Sequence, residues 1–342
     1  MKCAFYWGLP GLSLTENNPK LGVELVAGYR AELTEQWVEE NRGEIDLLHI
    51  HHPWYHYMSE DLQEATQKSS AFVGALARAQ ALGYRVVWSV HNLYPHESSH
   101  LHLDRVVRLD LARRADALIV HCEYARKCVR EHFHRAEGVF TAPHGHYIDA
   151  YSNTVTREAA RDQLGLEDDQ FVYLFFSNVR PYKGVERLLE TFNTLPGDHL
   201  RLLLAAKVKS DYSRQVVDLA GRIDPRVVVR TAEFFPSEDF QVFMNAADAV
   251  VFPFQEVLTS GSVITAMSFG RTVIVPALGC LTELVDSRMG MVYDPADKGG
   301  LRMAMEAVQG YDLGSGGRAA YDAVAKYRWD DIAAKTLEAY QA

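Results

Sequence analysis

Two stretches of this chain combine residue types suited to gripping an anion. Ser177 to Gly184, SNVRPYKG, sets Arg180 and Lys183 three positions apart in a polar loop that follows an apolar run. Phe252 to Pro276, FPFQEVLTSGSVITAMSFGRTVIVP, carries Glu256 and then Thr259, Ser260, Gly261 and Ser262 where a helix should open. A guanidinium, an ammonium and the unpaired N–H groups of a helix start all suit a diphosphate. Each charged hydrogen bond contributes about 1.5 to 3 kcal/mol. A lone RxxK is more often a solvated pair, so the weight rests on both loops leaving strand ends, where open α/β sheets bind ligands. His91 ends a further apolar run, where a neutral imidazole could orient or deprotonate an acceptor hydroxyl or contact a transferred sugar. His51-His52 and His144/His146 also fall at strand ends, and of 14 histidines only His199 lies beyond residue 146.

His96-Glu97-Ser98-Ser99-His100 spells HExxH, the zinc-peptidase pattern, which needs both histidines on one helical face. Here it follows Pro95 in a connecting segment, and two serines are poor interior helix residues.

The elements that must position these groups alternate. Strands are expected at Cys3 to Trp7, Ile45 to Ile50, Arg85 to Val90, Ala117 to His121 and Gly138 to Ala142. A second series follows at Phe171 to Phe176, Leu200 to Ala205, Val227 to Arg230, Ala249 to Phe252 and Thr272 to Val275. Helices between them include Val23 to Glu40, after a turn at Gly8 to Gly11, and Leu62 to Leu82. Gly314 to Gly317 reads as a flexible break before a final helix, Arg318 to Tyr340. Strands alternating with helices predict parallel, doubly wound sheets. A connection from about Tyr147 to Asp169 separates the two series.

At 342 residues, 48% hydrophobic and 23% charged, the chain is an ordinary globular protein with room for two domains. No apolar run reaches the length of a membrane span, and the start reads as a buried strand, so a cytoplasmic location is expected. The net charge of −10 argues against nonspecific nucleic-acid binding. Arg105, Arg108, Arg113, Arg114, Arg126, Lys127, Arg130 and Arg135 crowd one region, read as a solvated helix face or as peripheral contact with an anionic membrane. Four cysteines without a CxxC pair are expected to be reduced.

Nearly the whole chain resembles the family 4 glycosyltransferases (glycosyl transferases group 1). DLLHIH at 46–51 resembles the family's DVVHVH strand, VVWSVHN at 86–92 its VYTVHD, and ADALIVHCEY at 115–124 its ADAIIVVSEY. SNVRPYKGVERLLETF at 177–192 resembles GRLSPEKGVDLLLEAF, and the segment from Ala247 to Pro253 resembles ADVFVLPS. The resemblance implies a GT-B fold, two Rossmann-like parallel-sheet domains facing a central cleft. Residues 1–150, joined by a closing helix at 328–342, would bind the acceptor, and 165–327 the nucleotide sugar.

It further implies that Arg180 and Lys183 bind the donor diphosphate and stabilise the departing nucleotide without a metal. Glu256 would be the first glutamate of an E-x7-E element touching donor-sugar hydroxyls. His91 would lie beside the reacting centre, and the region Thr231 to Phe235, with Glu233, would pass the base. The second glutamate falls on Ile264, and the family's G-x-G becomes Ala205-Ala206-Lys207. Thr259, Ser260 and Ser262 hydroxyls holding the phosphates is one account of the altered loop; a degenerated site is another.

The expected activity is hexosyl transfer from a UDP- or GDP-sugar to a glycan, lipid-linked saccharide or small molecule, with retention implied by the resemblance alone and with no prosthetic group. A GT-B epimerase or hydrolase, a non-catalytic GT-B subunit and a zinc hydrolase using residues 96–100 stand as rivals.

Overall fold

The computed structural model describes residues 1–6, 18–27 and 33–342. The chain divides into two compact units, Met1–Gly145 with Tyr327–Ala342, and His146–Lys326.

In the first unit six parallel strands, β1 (Lys2–Tyr6), β2 (Glu24–Ala27), β3 (Leu47–Ile50), β4 (Arg85–Ser89), β5 (Ala117–Val120) and β6 (Val139–Thr141), line up in the order β2-β1-β3-β4-β5-β6. β3 and β5 are buried along their whole length, as parallel strands covered on both faces must be. The helix Leu62–Ala81 starts on Asp61, whose carboxylate accepts from the Glu64 N–H at 2.7 Å. The helix Trp329–Gln341 returns to this unit. There Ile332, Ala333, Ala339 and Tyr340 pack with Cys3, Leu47, Val87 and Ala117, and Asp330 accepts from Asn18 Nδ2 at 3.0 Å.

The second unit holds β7 (Phe171–Asn178), β8 (Leu200–Lys207), β9 (Val227–Ala232), β10 (Ala249–Val251), β11 (Thr272–Pro276) and β12 (Gly290–Tyr293), also parallel, in the order β12-β11-β10-β7-β8-β9. Chain order runs outward from β7 in one direction and from β10 in the other. The topological switch point therefore lies between β7 and β10, whose following loops are Ser177 to Gly184 and Phe252 to Ser260. Its core gathers Tyr173, Phe175, Leu188, Phe192, Leu202 and Leu204. The fully buried Arg161 donates to Asp248 at 2.8 Å and to the carbonyls of Glu167, Asp168 and Gln170, tying the helix Arg157–Leu164 to the sheet.

Several expectations are corrected. The helix foreseen over Val23 to Glu40 is instead the edge strand β2 and a short helix, Glu35–Glu40, capped by Thr34. The turn foreseen at Gly8 to Gly11 lies outside the described residues. The break foreseen at Gly314 to Gly317 is the first turn of a helix, Leu313–Ala325, capped by Asp312 through the Ser315 N–H at 3.0 Å. These glycines serve close packing: a Cβ on Gly317 would stand 2.1 Å from the Gly270 carbonyl oxygen. The final helix foreseen from Arg318 is thus two helices. Cys3 and Cys128 are buried and stand outside any disulfide.

Of the eight cations in the basic region, Arg105, Arg113, Lys127 and Arg130 are exposed and the other four are buried or half-buried. Arg108 is fully buried, Arg114 pairs with Asp110, Arg126 donates to the Val139 carbonyl and Thr141, Lys127 faces Glu131, and Arg135 donates to the Glu137 and Asp116 carbonyls. Among the described residues no helix is long and apolar enough to cross a membrane.

Candidate functional site

In the second unit β7 delivers Arg180 as the extended residue before a 3-10 turn, Pro181–Lys183, that closes on Gly184 in the left-handed region at φ 69°. Only glycine fits there. A Cβ would lie 2.1 Å from the Pro253 carbonyl oxygen, so the two loops touch backbone to backbone. The Tyr182 carbonyl accepts from the Gln255 N–H at 2.8 Å, fastening the loop after β7 to the one after β10.

The Lys183 ammonium stands 4.2 Å from the Phe254 ring centroid and 5.1 Å from that of Tyr182. It has no ion-pair partner among the described residues, and burial pushes its pKa down to about 8. A cation held among aromatic faces without a carboxylate is a position at which an arriving anion is welcome.

Beyond Phe254 the loop exposes Glu256 and buries Leu258, whose carbonyl accepts from the Cys280 N–H at 2.8 Å. Ser260 starts the helix Gly261–Ser268. It is buried, and its Oγ accepts from the Val263 N–H at 3.4 Å. That oxygen caps its own helix as an acceptor, which leaves the Ser260 O–H as the donor a phosphate would meet. Thr259, Gly261 and Ser262, all half-buried, remain at the helix start. Ile264, where the resemblance placed a second glutamate, is buried one turn further on. A carboxylate there would stand in the core.

Glu233 is exposed in the loop after β9. Beside that loop stands a residue that sequence reasoning passed over as a mere departure. Lys207 ends β8 in register with Asn178 and Ala232, its ammonium 5.4 Å from the Phe234 ring, 5.5 Å from Phe240 and 5.9 Å from Phe176. Burial, then Lys209, lowers its pKa. Phe234 is 68% exposed, an aromatic face held out beside a cation. The usable signal was a lysine closing an apolar strand with Phe234-Phe235 after the next one.

In the first unit the carboxyl edge of the sheet carries a line of imidazoles on neighbouring strands. His121, just after β5, uses Nδ1 on the Ala142 carbonyl at 2.9 Å, and its Nε2 lies 3.1 Å from His91 Nδ1. His91 Nε2 in turn lies 2.9 Å from His51 Nδ1, beside β3. A carbonyl only accepts, so His121 carries its proton on Nδ1. Its bare Nε2 accepts from His91 Nδ1–H, and the bare Nε2 of His91 accepts from His51 Nδ1–H.

One backbone carbonyl thereby sets three tautomers. Burial, then the neighbouring imidazoles His52, His121, His51 and His144, hold His91 well below the usual histidine range. Burial and His144 bring His121 to about 4 against the weaker upward pull of the Ala142 carbonyl. Both rings are neutral at pH 7. Both nitrogens of His91 are occupied, so in this arrangement it does not itself take a proton from an acceptor. Arg108 positions the segment that follows, its Nη1 donating to the Asn92 carbonyl at 2.7 Å and the Leu93 carbonyl at 2.6 Å. A parallel link joins His49 to Ser89 Oγ at 2.8 Å and to the Tyr340 hydroxyl at 2.7 Å.

The HExxH segment is not helical. His100 contacts the Glu60 carbonyl at 3.0 Å and precedes the helix Leu101–Arg114, and Ser98 donates to Asp104. The two histidines do not share a helical face, which removes the zinc-hydrolase reading.

Each of the two units is a parallel α/β sheet, and the comparisons match the chain to the GT-B fold. The family model described as Glycosyl transferases group 1 matches residues 170–309. A GDP-mannose:glycolipid 4-beta-D-mannosyltransferase of Xanthomonas campestris pv. campestris is 27% identical over 232 residues, 68% of this chain and 61% of that one. This chain thus spans less than two thirds of the mannosyltransferase's length. A D-inositol 3-phosphate glycosyltransferase of Streptomyces scabiei is 27% identical across 90% of this chain and 70% of its own. Among solved structures, Anabaena HepE in complex with UDP superposes with a TM-score of 0.76 at 18% identity, covering 100% of both chains. Sucrose-phosphate synthase from Thermosynechococcus elongatus gives 0.73 at 20%, over 98% of this chain and 80% of its own.

Proposed function

We propose that the protein is a glycosyltransferase that moves a hexosyl unit from a nucleoside-diphosphate sugar to a hydroxyl of a glycan or lipid-linked acceptor. The observation that carries this is Lys183, a half-buried cation without a carboxylate partner among the described residues, held against Phe254 at the switch point between β7 and β10. The second unit binds the donor. Arg180 and Lys183 neutralise the diphosphate and stabilise it as it leaves. Thr259, Gly261 and Ser262 meet phosphate oxygens, and Glu256 meets sugar hydroxyls. Phe234 and Lys207 flank the base together with Glu233. The acceptor binds at the histidine edge of the first unit. The names of the similar proteins support this reading, one acting from GDP-mannose on a glycolipid and one crystallised with UDP.

The test is titration of UDP- and GDP-hexoses into wild type and into Arg180→Ala/Lys183→Ala, with turnover followed both with and without a glycolipid acceptor. Donor affinity is expected to fall at least tenfold in the double variant. Unchanged binding and turnover would sink the phosphate assignment, and donor consumption without acceptor would replace transfer by hydrolysis.

A further inference from the structure

A basic cavity lies in the second unit, away from the loops assigned to the donor. It encloses about 460 Å³ and is lined by Arg157, Arg271, Arg318, Asp248, Tyr321 and Asp322. Asp248 and Arg271 precede β10 and β11, so the cavity opens at the amino ends of strands whose carboxyl ends carry the Lys183 contact. Five strand residues at roughly 3.3 Å each put the two places about 16 Å apart.

The charges do not cancel. Both Asp248 oxygens are taken, one by Arg157 at 2.7 Å, the other by the buried Arg161 at 2.8 Å and by the Val172 N–H at 2.7 Å. Arg271 spends only Nε, on the Phe269 carbonyl at 3.0 Å. Arg318 spends one amino group, on Ser315 Oγ at 3.1 Å. Neither has an ion pair among the described residues. Four guanidiniums therefore meet two carboxylates in a protein whose net charge is −10. Holding Arg157 and Arg271 together while half-buried is costly, and burial followed by Arg157 lowers the pKa of Arg271. A planar guanidinium fork with free N–H groups binds phosphate or carboxylate oxygens in pairs, and the volume is that of a small-molecule site.

We propose that this cavity binds a small molecule bearing a compact dianionic group, a phosphate monoester or a dicarboxylate, independently of the donor loops. Arg271 and Arg318 grip the anion, Arg157 adds charge from the wall, and the Tyr321 ring covers the rest of the ligand.

The experiment titrates inorganic phosphate and, separately, malonate into full-length Arg180→Ala/Lys183→Ala protein by calorimetry in chloride buffer, which silences the donor loop. One saturable site is expected, weakened at least tenfold when Arg271→Gln/Arg318→Gln is added and roughly fivefold by Arg318→Gln alone. Arg318 is exposed, so the single change does not threaten the fold. A preference for one probe identifies the ligand's class. No saturable binding of either probe, or binding undiminished by Arg318→Gln, overturns the proposal.

Discussion

Replacing Lys183 by Met separates what this side chain does for binding from what it does to the fold. Methionine keeps the length of the stem and a favourable sulfur contact with the Phe254 and Tyr182 rings while removing the charge. An amine whose pKa is brought from 10.5 to about 8 is held charged at pH 7 at a cost on the order of 3 kcal/mol, an upper figure because the group is only half-buried. Between about pH 8 and 10.5 the native chain binds fewer protons here than the unfolded chain. Wild-type stability therefore gains through that window as pH rises, whereas below pH 8 the full penalty applies.

Lys183→Met is accordingly expected to be more stable than wild type at pH 7 by up to about 3 kcal/mol, the advantage vanishing toward pH 10.5. Urea melts at pH 7, 8, 9 and 10 measure it. Donor binding moves the other way. A diphosphate beside the amine raises its pKa, so wild-type affinity should fall by up to about tenfold per pH unit above 8, with proton uptake visible as buffer-dependent heats. The variant should bind weakly at every pH. Stability curves that run parallel for the two proteins from pH 7 to 10, together with unchanged donor affinity, would refute the reasoning.

The histidine line predicts that His51, His91 and His121 all carry their proton on Nδ1 at neutral pH. Nitrogen-15 imidazole shifts read this directly, and an Nε2–H form at His91 or His121, or an Nδ1 without its proton at His51, contradicts the geometry. His121→Phe should release the His91 tautomer while leaving its ring in place. Because the folded pKa of His121 is depressed to about 4, its contribution to stability is present above 6.5 and is lost as pH falls toward 4. A gentler acid limb in His121→Phe melts is the expected outcome. Gly184→Ala combines a strained left-handed backbone with an overlap at a carbonyl that cannot swing aside; a loss of about 2 kcal/mol or more is expected in denaturant melts, with weaker donor binding.

The sheet architecture was largely legible because parallel strands covered on both faces are continuous apolar runs, and each of Leu47 to Ile50, Ala117 to Val120 and Thr272 to Pro276 announces itself. β2 was not, since an edge strand is short and is held by its pairing with β1, and Glu24-Leu25-Val26-Ala27 also fits a helical face. Composition misread Gly314 to Gly317, where absence of a side chain serves contact with Gly270. The Arg180/Lys183 loop was singled out by residue types together with its place after an apolar strand. What escaped was everything that depends on which strands lie side by side. The His51, His91 and His121 chain crosses three strands far apart in sequence, and Arg108 looked like surface charge until the helix Leu101–Arg114 turned it inward under the segment after His91.

The return of Trp329–Gln341 to the first unit has a consequence for how the protein is made. On the ribosome the second unit, residues 146–326, is complete before the residues that finish the first unit's core have been added to the chain. Until then the side of β1, β3, β4 and β5 that Ile332, Ala333 and Tyr340 cover lies open, and His49 lacks the Tyr340 hydroxyl. The half synthesised first is thus the half that matures last, and in the interval its exposed apolar surface is a natural substrate for chaperones.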